Sequence, residues 1–258
     1  MHELGKTDFD QPWPQAYDCI VLDEVDSTMD EARRRLPELT RPTWIFARNQ
    51  SAPRGRRGRV WHMPEGNFSA TLVMRPDEPI AHAALRAFTA GLAMLSALSP
   101  YSAVGEFALK WPNDVLLYKR KIAGILLESE SLKDKCQWLS IGFGANLRGA
   151  PASSDLEPQA IPATSLRQDG HTVPRPEDVL HRLACSFADW ERIFRDYGFE
   201  SVGKMWIGYA YGLDQPVVAR MGKREVRGIF RTIDLDGNLI LKMDDGSFER
   251  IAAADLFF

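Results

Sequence analysis

The chain has few cysteines, and they are not arranged for chemistry. Cys19, Cys136 and Cys185 are odd in number and far apart. No CxxC pair or cysteine/histidine cluster points to zinc, and no disulfide framework is implied. Reduced, buried thiols of an intracellular protein are expected. No apolar run approaches the ~20 residues of a membrane-crossing helix, so no membrane partner is expected. Neither sign of charge dominates. Thirty-two basic against 35 acidic side chains leave a net charge of -3, so the molecule as a whole lacks the field of a nucleic-acid or membrane binder. Residues 1–10 are polar and acidic and do not read as a signal peptide, so a cytoplasmic location is expected. Repeats and low-complexity segments are absent too. What remains is ordinary: 258 residues, 45% hydrophobic and 26% charged. That suffices for one large domain, or one domain plus a small one.

Periodicity organises the chain. Residues 1–15 read as a loose arm and 17–25 as a short strand. Thr28 and Glu31 fit a capping box opening a short helix that Pro37 ends. Strands are expected at 44–48 and 68–74, with an irregular stretch rich in Gly, Pro and Arg between them. Apolar residues at 80, 84, 85, 88, 92, 95 and 98 mark one face of a long helix. Short apolar runs at 107–110, 115–117, 122–128 and 138–143 read as strands of an antiparallel or mixed sheet. Five prolines make 149–176 a long loop, and 179–197 reads as a second amphipathic helix. Beyond about residue 210 the character changes to strands at 217–220, 226–232, 239–242 and 248–251. Asp236-Gly237 and Asp245-Gly246 are hairpin turn signals. The expectation is two domains, 1–210 and 211–258, the second a small barrel.

Three stretches carry chemistry. The first is Arg54-Gly55-Arg56-Arg57-Gly58-Arg59. Glycines let backbone approach a ligand, and guanidinium groups bind phosphate and carboxylate oxygens in pairs. The pattern suits a mobile loop that closes over a polyphosphate; it reads equally as a solvated basic loop or a nucleic-acid patch. The second is Lys110-Trp111-Pro112-Asn113-Asp114 followed by Lys121-Ile122-Ala123-Gly124. A cation at a strand edge facing a cleft could stabilise charge developing on a phosphate; a strand-end lysine is otherwise simply surface. Gly124 inside a strand suggests close approach by a ligand or backbone. The third is Ile141-Gly142-Phe143-Gly144-Ala145-Asn146, which by itself is a bulge or turn as readily as a nucleotide site.

Their order is more specific than any one of them. Asp26-Ser27-Thr28, Gln50 with 54–61, Gly66-Asn67, 110–114, 121–124 and 142–146 together resemble the biotin protein ligases. The resemblance runs from about Val25 to Asn146, with a similar C-terminal barrel from about residue 213. Lipoate ligases share the fold but lack the pairing of the arginine loop with the 110–114 segment. The first family motif starts at Asp26, which leaves no room here for the DNA-binding domain of regulatory members, so no DNA partner is expected.

The resemblance implies an α+β fold: a mixed or antiparallel sheet flanked by helices, class II synthetase-like, followed by a small SH3-like β-barrel. It implies an enzyme, a biotin–[biotin carboxyl carrier protein] ligase. Such an enzyme uses ATP, biotin and Mg²⁺ to form biotinyl-5'-AMP and passes biotin to a lysine of a carrier domain of a carboxylase. It would act as monomer or homodimer. Biotin would be held by Ser27, Thr28, Gln50, Arg54, Trp61, Gly124 and Gly142. ATP would be held by Arg54, Arg56, Arg57, Arg59, Asn113, Lys121 and Asn146. Lys121 and Arg56 would be catalytic, and Asp114 would hold the metal. Three positions depart from the family pattern: Met29 replaces Asn, Pro53 replaces Gly, and Ala254 replaces Gly before an acid. The alternatives are a ligase for lipoate or another acyl acid, a binding protein with a degenerate site, and an RNA-binding module. Net acidity and the lack of basic–aromatic interleaving argue against the last.

Overall fold

The computed structural model describes residues 11–102, 107–156 and 160–258. Its first layer is a seven-stranded sheet built from β1 (Asp18–Val25), β2 (Thr43–Gln50), β3 (Phe68–Met74), β4 (Phe107–Lys110), β5 (Asp114–Leu117), β6 (Arg120–Leu132) and β7 (Lys135–Ala145). The spatial order is β1-β2-β3-β7-β6-β5-β4. Only β1 and β2 run parallel, joined by α1 (Thr28–Arg35); the other neighbours are antiparallel. This is the mixed sheet that the alternation of short apolar runs predicts.

Both faces of the sheet centre are covered, which is why β2 reads as an unbroken apolar run: Thr43–Ala47 are all buried. One face packs Ile45 and Val73 against Ala32 of α1. The other receives α3 (Arg86–Leu98) and α4 (Pro176–Tyr197). There Trp44 meets Phe143 at 5.4 Å and Phe187 at 6.0 Å between ring centroids. Arg86 is buried between the helices and bridges Glu191 of α4 at 2.8 Å and Glu78. Fully paired on both sides, it avoids the cost of a lone buried charge.

The second layer is a five-stranded antiparallel sheet of β8 (Pro216–Met221), β9 (Arg224–Ile233), β10 (Leu239–Lys242), β11 (Phe248–Ile251) and β12 (Asp255–Phe257), in the order β11-β10-β9-β8-β12. Both expected hairpin turns are present, with Gly237 and Gly246 at φ 77° and 84°. Gly237 is needed twice over. A side chain there would be strained, and its Cβ would meet the Phe88 ring at 2.7 Å. That close approach docks the small sheet on α3, and Trp111 adds an indole hydrogen bond to the Gly237 carbonyl at 3.1 Å.

Several expectations change. The long helix is broken at Leu85 into α2 (Ile80–Ala84) and α3. The stretch Ile80–Tyr101 is long and apolar enough, by length and composition, to cross a membrane, but two thirds of its most apolar window is buried inside the fold. The capping box does not form. Ser27 occupies the cap position, and Glu31 pairs with Arg34 and Arg35 instead. Of the predicted loose arm, residues 1–10 lie outside the described residues. The rest is docked: Trp13 donates to the Tyr17 carbonyl at 2.8 Å and packs on His181. Two elements were not expected from the sequence: helix α5 (Phe199–Gly208), which follows Gly198, and the short strand β12, which pairs with β8 at the edge of the small sheet.

Candidate active site

One large cavity, about 610 Å³, opens at the ends of β3, β5, β6 and β7. Its two ends have different chemistry, and the residue types explain why.

The deep end is polar at one point and apolar elsewhere. Ser27 and Thr28, at the start of α1, are buried. Thr71 donates its hydroxyl to Thr28 at 2.9 Å, and Thr28 donates its own to the Gln50 carbonyl at 3.2 Å. The Thr28 amide donates to the same Gln50 oxygen at 2.7 Å. Gln50, ending β2, is therefore oriented by α1, with Ser27 and Thr28 beside it in the cavity wall. The floor is glycine. Gly124 of β6 and Gly144 of β7 are direct partners in the ladder, and the Trp61 indole lies over them. A Cβ on Gly144 would come within 2.7 Å of that indole, and one on Gly124 within 3.2 Å. Gly142 makes the same room for Met29, whose sulfur is 2.7 Å from where a Cβ would stand. Such a slot suits a flat, mostly apolar ligand with a few polar anchors.

The other end is cationic. Lys121, at the start of β6, places Nζ 2.6 Å from Asp114 and 5.4 Å from the centre of the Trp61 ring. Lys110, at the end of β4, lies 3.9 Å from the other Asp114 oxygen. The antiparallel register sets Lys110 opposite Asp114, and Lys121 one strand further on. Burial tends to raise Asp114, but Lys121 and Lys110 outweigh it and hold the carboxyl below its ordinary value. Burial lowers Lys110 from the usual lysine range. Arg56 donates to Asn113 at 3.0 Å, and burial lowers it as well.

The arginine loop folds back on itself. Trp61 N–H donates to the Pro53 carbonyl at 3.1 Å, and Gly55 N–H to the Arg59 carbonyl at 2.7 Å. Its four arginines part company. Arg54 is held by Asp30 at 2.8 Å and by Glu128, with hydrogen bonds to Glu128 and Asp30 raising its pKa above the arginine norm. It anchors the loop, and its guanidinium is already claimed by two carboxylates, which does not fit the expected hold on phosphate. Arg54, Arg56 and Arg59 line the cavity; Arg57 does not, and it reaches Asp255 at 2.5 Å, as Arg59 does at 3.2 Å. Two further expectations are revised. Asn146 lines the cavity but its amide donates to the Thr164 carbonyl at 3.0 Å and accepts from Asn67 at 3.4 Å, a bracing arrangement. Asp114 is committed to two lysines, and no three His, Cys, Asp or Glu side chains converge among the described residues. The donor set does not fit a protein-held Mg²⁺, which needs a largely oxygen shell.

The sequence reading missed Lys110, Gly144 and the C-terminal strand as parts of the wall, where Asp255, Leu256 and Phe257 face the cavity. Lys110 stood inside a motif already singled out. No local signal in the last four residues points to a cavity otherwise lined by residues between Ser27 and Ala163. Asn67 also matters more than its turn position suggested. Fully buried, its side-chain oxygen accepts from the Leu147, Arg148 and Gly149 amides at 3.0, 2.9 and 3.2 Å. Asn67→Ala takes the acceptor from those amides, and leaving a buried one such as Leu147 unpaired costs ~1–3 kcal/mol. A loss of at least ~2 kcal/mol is expected, read as a melting temperature lower by ~4–8 °C in a scan.

Residues 21–146 match the model of the biotin/lipoate A/B protein ligase family, and residues 212–258 that of the biotin protein ligase C-terminal domain. A biotin–[acetyl-CoA-carboxylase] ligase of Paracoccus denitrificans is 44% identical over 240 residues, 92% of this chain and 99% of that protein. The chain belongs to the biotin protein ligase family. A bifunctional ligase/repressor of Bacillus subtilis is 34% identical over 92% of this chain and 71% of its own length. The biotin protein ligase of Aquifex aeolicus, solved in complex with biotin and ATP, superposes with a TM-score of 0.76 at 25% identity, covering 93% of this chain and 97% of that one. The C-terminal sheet is thus the SH3-like element of a biotin protein ligase, and the α+β architecture expected from the motifs is the one present.

Within this family the departures have structural sense. Met29 is buried and fills the space over Gly142, so an apolar side chain closes the slot where an amide is usual. Pro53 still supplies the carbonyl that closes the loop, and proline loses only its N–H. A missing net hydrogen bond is worth ~0.5–1.5 kcal/mol, and restricting the unfolded loop returns ~0.4–1 kcal/mol. Pro53→Gly is therefore expected to change biotin affinity less than about tenfold by titration calorimetry. A hundredfold gain would show that the natural site is impaired for biotin.

Proposed function

We propose that this chain activates biotin with MgATP to biotinyl-5'-AMP and transfers the biotinyl group to a lysine of a biotin carboxyl carrier domain. The observation that carries this reading is the junction, within one cavity, of a glycine-floored slot anchored by Ser27, Thr28 and Gln50 with a cationic end formed by Lys121, Lys110 and Arg56. A carboxylic acid bound along the slot would direct its carboxylate toward that cationic end.

In the first step a biotin carboxylate oxygen attacks the α-phosphorus, and the bond to pyrophosphate breaks. Lys121 stabilises negative charge building on the α-phosphate and reduces repulsion between two anions. Asp114 positions Lys121 from below. Arg56 and Arg59 neutralise the phosphates, and Asn113 orients Arg56. Mg²⁺ enters as part of the nucleotide substrate. In the second step the neutral amine of the carrier lysine attacks the carbonyl carbon, and the bond to AMP breaks. Trp61 and the loop shield the mixed anhydride from water between the two steps.

The test is pyrophosphate release that requires both biotin and ATP, paired with a thermal scan. Biotin with ATP is expected to raise the melting temperature by mass action. Lipoate with ATP is expected to leave it unchanged. The converse would favour a lipoate ligase.

A further inference from the structure

We propose that Asp169 is a positioning residue for Lys121: one buried carboxylate holds the two neighbours that fix the Lys121 backbone. The proposal rests on the ligase reading for what Lys121 does.

The sheet does not fix Lys121 by itself. On one side the β5–β6 register shifts, so that Val115 faces Ala123 but Leu116 faces Lys121. Ile122 is the extra residue of that bulge, and a bulge re-aims the side chains beside it. On the other side β7 ends its pairing with β6 at Ala145 opposite Ala123, short of Lys121. The stretch 162–164 takes its place. Lys121 N–H donates to the Pro162 carbonyl at 2.8 Å, and Thr164 N–H donates to the Lys121 carbonyl at 2.9 Å. This is one rung of parallel pairing, with Ala163 opposite Lys121. What holds 162–164 in place therefore decides where Lys121 sits.

Asp169 supplies that hold. Its side chain is 4% exposed. One carboxylate oxygen accepts from Arg120 at 2.5 Å, and the other accepts from the Thr164 hydroxyl at 3.0 Å. Arg120 precedes Lys121 on β6, and Thr164 carries the N–H bonded to Lys121. The carboxylate thus ties strand to segment on both sides of the rung.

The support behind Asp169 is ordered. Its own N–H donates to the Ser165 carbonyl at 3.2 Å. Gly170 takes the φ of 77° that returns the His171 N–H to the Leu166 carbonyl at 2.9 Å. The His171 ring then stacks on Tyr118, 5.9 Å between centroids. Tyr118 and Lys119 form the turn between β5 and β6, both left-handed at φ 50° and 62°. Non-glycine residues keep that conformation only where surrounding structure holds them. The 165–171 turn therefore grips the start of β6 twice, through Tyr118 and through Arg120.

A catalytic group displaced by about 1 Å can lose ~10²-fold in rate. Asp169, Arg120 and Thr164 do not line the cavity, so any effect of Asp169 on the chemistry is carried by Lys121.

A double-mutant cycle tests this, because a residue that acts through Lys121 loses its effect once Lys121 is gone. Asp169→Ala is expected to lower kcat for biotin-dependent pyrophosphate release by ~10–100-fold, with KM for biotin and ATP little changed. Transfer from supplied biotinyl-AMP is expected to keep its rate. Asp169→Asn, which keeps an oxygen for Arg120 and an amide for the Thr164 hydroxyl, restores most of the activity. In a Lys121→Ala background, Asp169→Ala is expected to cost nothing further. The same fold-loss in that background, or an equal loss of transfer, would overturn the proposal, since Asp169 would then be a general brace. Should Asp169→Ala fold poorly, Arg120→Gln, at a side chain 40% exposed, carries the cycle. Amide hydrogen exchange of the whole chain is measured in parallel. Asp169→Ala is expected to speed exchange in peptides covering 118–124 and 160–167 relative to the rest. Unchanged exchange there would overturn the proposal whatever the kinetics. Absence of pyrophosphate release by the natural protein, with exchange accelerated as expected, would sink the ligase reading and leave Asp169 as the residue that places Lys121.

Discussion

Lys121→Ala is expected to lower biotin-dependent pyrophosphate release by ~10²–10³-fold, the usual cost of removing one donor aimed at developing charge. Lys121 is the cation that the fold places beside the glycine slot, its amine 3.3 Å from where a Cβ on Gly124 would stand. Its Nζ is 2.6 Å from Asp114 and over the face of Trp61 at 5.4 Å. Lys110 cannot replace it, being buried on the far side of the same carboxylate at 3.9 Å. The effect should fall on kcat for the first step. Biotin affinity, measured by calorimetry without ATP, is expected to stay within about tenfold, because the slot residues are untouched. Given biotinyl-AMP directly, the variant should still biotinylate the carrier, since the bond Lys121 helps form already exists. Near-normal pyrophosphate release would remove Lys121 from the chemistry.

Arg56→Gly is expected to release the intermediate. Arg56 is partly buried in the cavity wall; it donates to Asn113 at 3.0 Å, and Asn113 in turn donates to the Ile125 carbonyl of β6. That chain ties the loop's inner side to the strand carrying Gly124. A hydrogen bond to a charged group is worth ~1.5–3 kcal/mol, so its loss should raise escape of the adenylate by ~10–100-fold. The observable is labelling of lysines on a bystander protein, read by mass spectrometry after incubation with biotin and ATP. Labelling confined to the carrier domain would mean that Arg56 does not retain the intermediate.

The sequence made the first sheet legible because its strands carry period-two alternation or unbroken apolar runs; 68–74 was read to the residue. The glycine slot was legible in part: Gly124 stands where a strand residue would normally carry a Cβ, Gly142 came only from the family resemblance, and Gly144 was missed. The division of labour among the arginines was not legible. Arg54, Arg56, Arg57 and Arg59 look alike along the chain, and only the fold brings Asp30 and Glu128 to one of them and Asp255 to two others. The capping box failed for a similar reason. Thr28 has the right spacing to Glu31, but Gln50 and Thr71 claim its hydroxyl from other strands. Helix α5 was hidden by Gly198, which reads as a stop, although Phe199, Val202 and Trp206 repeat at helical spacing and are all buried. Asp114 illustrates the limit most plainly. The family resemblance implied a metal ligand at Asp114, and the register of β4, β5 and β6 instead brings two lysines to its carboxylate.

The central claim is that one cavity both activates biotin and passes it to a carrier lysine. The most direct measurement is intact-mass spectrometry of a biotin carboxyl carrier domain incubated with the protein, biotin and MgATP. The account predicts a single added biotinyl group on the carrier, dependent on ATP and absent when lipoate replaces biotin. A carrier of unchanged mass alongside a correctly folded, biotin-binding protein would contradict it.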